Sequence, residues 1–170
     1  MATARDWADP FLAQATDDLR AAQAIYLARV PSTFCMLVQM TFEKLAKAAL
    51  ARQSIQPPQS HQIASRLLLL LERTPGGTSL PGVSIGLVFA AVRELENAQP
   101  AVVSSAVRNH GVPQYPQLEY PWESPTTGGV EWPGEHLPIA KRIADPRDPI
   151  GPQLLKFAKA LEAQFNALFP

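Results

Sequence analysis

The chain has 170 residues, 46% of them hydrophobic and 18% charged, with 15 basic residues against 15 acidic ones for a formal net charge of zero. That composition belongs to a globular chain long enough for one domain around one hydrophobic core, and it excludes a disordered or membrane-embedded class. The charge balance argues against a general nucleic-acid binder, whose affinity rests on a basic excess that neutralises phosphates, although a local basic patch stays open.

Asp9-Pro10 reads as a helix start, with the Asp side chain as N-cap and proline at the first helical position. Leu12, Ala15, Leu19, Ala22, Tyr26 and Val30 follow at helical spacing, which predicts a first helix over about 10–30, closed by Pro31. Ser32 or Thr33 caps a second helix over about 33–53. Its inner stripe is Phe34, Leu37, Val38, Thr41, Leu45, Ala48 and Ala49, and Met36, Met40 and Phe42 widen it to a second side. A helix apolar on two sides needs two partners, inside a bundle or at a dimer contact. After Pro57-Pro58, Ser60 caps a third helix over about 60–73, faced by Ile63, Leu67, Leu70 and Leu71. Thr74-Pro75-Gly76-Gly77 breaks the chain. A fourth helix over about 82–108 carries Ile85, Phe89, Val92 and Leu95, with a kink at Pro100.

The character then changes. Residues 112–152 hold more than half of the 17 prolines and two of the three tryptophans. A stretch this long without periodicity is unusual inside a compact domain. Tyr115, Tyr120, Trp122 and Trp132 argue against plain disorder, which is poor in aromatics. The expectation is an ordered Pro/Trp-rich excursion over 112–150, packed on the bundle, with a helical turn at 139–144. A last helix over about 151–168 shows Leu154, Ala158, Leu161, Phe165 and Leu168 on one face. The sum is an all-α, antiparallel bundle of four or five helices, in one domain over 1–170, with a long proline-rich insertion before the C-terminal helix.

The longest apolar run, Leu67–Leu71, falls far short of the roughly 20 residues that span a bilayer. The opening MATARDWADP has no apolar core of a secretory signal, and a lone cysteine, Cys35, rules out an internal disulfide or a multi-cysteine metal site. These readings point to a cytoplasmic protein with no membrane partner. Cys35 borders the apolar stripe of the second helix and is expected to be a buried, inert thiol. No Gly-rich phosphate loop, nucleophile elbow or metalloprotease helix is present, so no cofactor is expected. His136, between Glu135 and Leu137, has Glu131 nearby but lacks further ligands at helical spacing, so no metal is expected either.

Four features together resemble the HEPN family of small helical bundles. Asp18-Leu19 is followed by Ala21-Ala22 within the first helix. Glu43-Lys44 and Lys47-Ala48 are similar to the family's "EK..KA" pattern on its second helix. Ser60-His61 opens the third helix, and Tyr115-Pro116 with Tyr120-Pro121 precede the last. The likeness covers roughly 12–73 closely and 83–168 loosely. It implies an antiparallel bundle that often dimerises. Family members include metal-independent ribonucleases of toxin–antitoxin or antiviral systems, partners of nucleotidyltransferases, and nucleotide- or RNA-binding modules. The ribonuclease branch uses an arginine, an adjoining polar residue and a histidine about one to two helical turns on, so that both side chains share a face.

In this chain the nearest match is Arg108-Asn109-His110. Here the His follows the Arg by two residues, about 200° around a helix, so a helical segment cannot bring them to one site. Arg108 and His110 are read more simply as complementing a helix C-terminus. His61 is a candidate phosphate contact at a helix N-terminus, or else a residue packed on a neighbouring helix. Arg66, Arg73, Lys141, Arg142 and Arg147 form a basic patch if the insertion folds back over the third helix. Tyr120, Trp122 and Trp132 offer aromatic faces for base stacking, or anchors for the long loop. Glu43, Lys44 and Lys47 read as a solvated face with local ion pairing.

The leading expectation is a non-catalytic HEPN-like binding or regulatory protein, a homodimer, with a toxin–antitoxin or defence setting implied by the resemblance alone. A divergent ribonuclease using Arg108, Asn109 and His110 is the rival. A third reading places a nucleotide or small molecule between bundle and insertion, bound by His61, Arg66, Tyr120 and Trp122.

Overall fold

The computed structural model describes residues 2–98, 122–123 and 128–170. Among them are seven α-helices: α1 (Ala8–Leu27), α2 (Pro31–Arg52), α3 (Ala64–Arg73), α4 (Ile85–Glu96), α5 (Pro133–His136), α6 (Pro138–Ala144) and α7 (Ile150–Leu168). One short antiparallel ribbon pairs β1 (Trp122–Glu123) with β2 (Val130–Glu131), Trp122 opposite Glu131. The chain is all-α, as its periodicity predicts. No helix among the described residues is long and apolar enough to cross a membrane. The tail of the predicted fourth helix, 99–108, lies outside the described residues.

Helix ends differ from the sequence reading for identifiable reasons. Asp9 is not an N-cap. It lies in the first turn of α1, where its carboxylate accepts a 2.6 Å hydrogen bond from Arg52 at the far end of α2. Pro31 does not close α1 but opens α2, since its fixed φ and missing N–H suit the first helical position. Helix α1 ends earlier, with the N–H groups of Ala28, Arg29 and Val30 bonded back to Ala24, Tyr26 and Ile25. Ser60 does not cap α3, because its hydroxyl accepts from the nearby Gln62 N–H at 3.1 Å. The N-terminus of α3 is served from outside instead. The buried Glu96, at the end of α4, accepts the Ser65 N–H at 3.2 Å.

Helix α2 is the axis of the molecule and touches every other helix. Its apolar residues from Phe34 to Ala51 are buried except for Met36, Leu37 and Met40, which are partly so. Helix α1 packs along it most extensively, and α3, α4, α6 and α7 also pack on it, with α7 bridging to α1. Neighbouring helices thus cover most of α2, while Met36, Leu37 and Met40 near its start stay partly exposed. Phe157 of α7 packs between Phe42 of α2 (5.5 Å between ring centroids) and Phe89 of α4 (5.9 Å).

The insertion carries the two short helices α5 and α6, with Leu137, Ile139 and Ala140 buried in the common core. It is anchored by Arg142, whose guanidinium reaches Asp148 (2.9 Å) and Glu94 of α4 (3.4 Å). The hydrogen bond from Arg142 holds the Asp148 carboxyl below its ordinary value of 3.8, outweighing partial burial, and the Ile150 N–H helps in the same direction. That N–H bond (2.9 Å) also caps the start of α7. Because the folded-state value is depressed, the charge of Asp148 stabilises the fold above the unfolded value, and the contribution fades as pH falls through the folded one. Asp148→Asn keeps an oxygen for the cap but loses the charge. Its deficit in unfolding free energy should be present at neutral pH and shrink below about pH 4. A deficit independent of pH would refute the ion pair's role.

Cys35 is fully buried beside this core. Burial, with a smaller push from the Glu94 carboxylate, raises its thiol to about 12. Since the thiolate is the reactive form, the native protein should resist a thiol reagent at mildly alkaline pH and take up one equivalent once unfolded. Fast labelling of the native protein would show that the α2 packing opens readily.

Candidate functional site

The densest polar chemistry lies on α2. Gln39, Glu43 and Lys47 recur every fourth residue, which aligns them on one face of the helix. That face meets the segment entering α3. Gln39 Nε2 donates to the His61 carbonyl at 2.9 Å, and His61 Nδ1 lies 3.0 Å from Glu43 Oε2. The other Glu43 oxygen, Oε1, accepts from Lys47 Nζ at 2.7 Å. The Lys47 ammonium also stands 5.7 Å over the ring of Phe11 on α1, a cation–π placement. One position on, Lys44 points to α1 and pairs with Asp18.

The predicted solvated face is thus a buried one. Glu43, Lys44 and Lys47 are 4%, 7% and 9% exposed, low enough that each charge needs a partner, and each has one. The cluster balances two carboxylates against two ammonium groups, with His61 at its open edge, its side chain 56% exposed. Both Glu43 oxygens are taken up, one by Lys47 and one by His61, so the carboxylate ties α2 to the segment entering α3. Of the residues quoted for the resemblance, Asp18 pairs with Lys44, and Glu43 joins Lys47 and His61.

The other candidates separate. Arg108, Asn109, His110 and Tyr120 lie outside the described residues, as does the side chain of Trp122. Arg66 is exposed on α3 and makes no ion pair among the described residues. Arg142 is committed to Asp148 and Glu94. His136 Nδ1 lies 3.2 Å from both the backbone N and O of Trp132, and its ring meets the indole edge-on at 4.9 Å. No group of three His, Cys, Asp or Glu side chains among the described residues is placed to hold a metal ion.

A second feature was not foreseen in detail. A cleft of about 290 Å³ opens where the α1–α2 turn faces the end of α6, floored by Tyr26, Phe34 and Ile143. It continues onto a shallow shelf carrying Arg29, Ser32, Trp132, Glu135 and Lys141. Arg29 takes up φ 58, a left-handed conformation that glycine usually supplies at the end of a helix. The signals in sequence were Trp132 and Lys141, but nothing local to either shows that the α1–α2 turn lies opposite.

Comparison with models of known protein families, with curated proteins and with solved structures finds no match to the chain.

Proposed function

We propose that this chain is a cytoplasmic HEPN-like helical protein that acts as a non-catalytic binding or regulatory component, in a toxin–antitoxin or defence setting. One observation carries most of the weight. Residues quoted for the resemblance form two buried ion pairs, Asp18–Lys44 and Glu43–Lys47, the second bordered by His61. Such pairs specify how helices dock, and the half-exposed His61 at the edge, held by Glu43, has no second catalytic group beside it among the described residues that pair there. Homodimerisation is part of this reading. The partly exposed Met36, Leu37 and Met40 of α2 leave apolar surface for such a contact. Sedimentation of the purified chain at micromolar concentration should give twice 18.5 kDa. A mass of 18.5 kDa throughout that range would remove the dimer from the proposal.

A divergent ribonuclease built on Arg108, Asn109 and His110 is the competing reading, supported by the Arg-Asn step and opposed by the short spacing to His110. The protein partner expected under the leading reading is a nucleotidyltransferase or the cognate member of a toxin–antitoxin pair. Co-purification of such a protein in fixed stoichiometry would support it. A failure to associate when both are co-expressed would count against it.

A further inference from the structure

We propose that the cleft between the α1–α2 turn and α6 binds a small amphipathic anion, a flat apolar body carrying a carboxylate or phosphate. The inference is independent of the reading above, since either a ribonuclease or a binding module could hold such a ligand.

The inner cleft is concave and apolar. Tyr26, Phe34 and Ile143 form its floor, and Leu27 and Val30, 81% and 39% exposed, form its lip. A volume of about 290 Å³ suits one ring system with a short substituent. The shelf outside it is cationic. Arg29 and Lys141 both reach it, and neither pairs with a carboxylate among the described residues. Glu135 is the one acidic residue lining the shelf, so positive charge prevails there. Helix α2 also begins at this shelf without a side-chain cap, and since Pro31 has no N–H and the Phe34 N–H bonds Val30, the N–H groups of Ser32 and Thr33 are the ones left for an anion. The opposing end of α1 is muted, because the carbonyls of Ala24, Ile25 and Tyr26 already accept the closing N–H groups. Trp132, 47% exposed, stands over the shelf with its indole braced edge-on by His136. A braced, half-exposed indole beside unpaired cations is a ready surface for an aromatic anion. The ligand's apolar body thus enters among Tyr26, Phe34 and Ile143, and its charged group rests between Arg29 and Lys141.

Anilinonaphthalene sulfonate, itself a flat apolar anion, is the probe. The full chain should bind it saturably at one site, with enhanced dye fluorescence. The double variant Arg29→Gly with Lys141→Ala should weaken that binding at least tenfold. Glycine suits the left-handed backbone at position 29, so this variant should keep its fold. Ala144→Phe, which fills the cleft mouth, should abolish binding. Displacement by adenosine monophosphate would mark a phosphate-bearing ligand, and displacement by naphthoate alone would mark a carboxylate. Absence of saturable binding would overturn the proposal. So would an unchanged affinity in the double variant at an unchanged thermal midpoint.

Discussion

Phe157→Ala is expected to lower the unfolding free energy by about 3–5 kcal/mol, the usual cost of truncating a fully buried aromatic residue. Phe157 is 0% exposed and is wedged between Phe42 and Phe89, so a single truncation loosens α7 from α2 and α4 together. The cavity has little chance to collapse, because its walls are three separate helices already packed against other neighbours. For a chain of this size the loss should lower the melting midpoint by roughly 6–20 °C, at about 2–4 °C per kcal/mol. Phe157→Leu, which keeps most of the volume, should lose clearly less. Thermal and denaturant unfolding measure both. Equal, small effects would mean that α7 is not docked as described.

The second large effect concerns Glu43. Glu43→Ala removes the counter-charge of Lys47 and the carboxylate beside His61, while Lys47 stays buried. Breaking a buried pair from one side costs about 3–5 kcal/mol, because the remaining charge is left uncompensated. Replacing both members with apolar residues of similar size is a different matter and is often neutral or stabilising. The variant Glu43→Leu with Lys47→Leu should therefore be more stable than either single substitution. That non-additivity is the signature of a direct interaction. Simple addition of the two losses would show that the pair is weaker than its 2.7 Å geometry indicates.

Helical class and core faces were largely legible in the sequence. The stripes of α1, α3 and α7 place Leu19, Leu67, Phe165 and their neighbours in the core, because a 3.6-residue period survives any tertiary context. Helix ends were less so. Asp9-Pro10 and Ser60 have the composition of caps, but the partners that decide their roles, Arg52 and Gln62, are chosen by packing and by a local turn. The start of α3 depends on Glu96 from a distant helix, which no local signal announces.

The polar cluster shows the same limit more sharply. Glu43 and Lys47 at helical spacing look alike on a solvated face and on a buried one. What distinguishes the two is the presence of Phe11 and His61 opposite them, supplied by other segments. The resemblance grouped most of these residues, although their pairing could not be read from spacing. The cleft was foreseen only as a general place between bundle and insertion. Among the described residues Trp132 and Lys141 line it, together with Arg29 from the α1–α2 turn, while His61 and Arg66 do not.

On the proposed reading the paired charges inside this bundle dock helices, and neither they nor Arg108-Asn109-His110 cut RNA. Incubating the folded chain in molar excess with end-labelled RNA, without divalent metal, tests it most directly. The account predicts intact RNA in both the wild type and His110→Ala. Site-specific cleavage by the wild type, lost in a His110→Ala variant with an unchanged melting midpoint, would contradict it and make the chain a divergent ribonuclease.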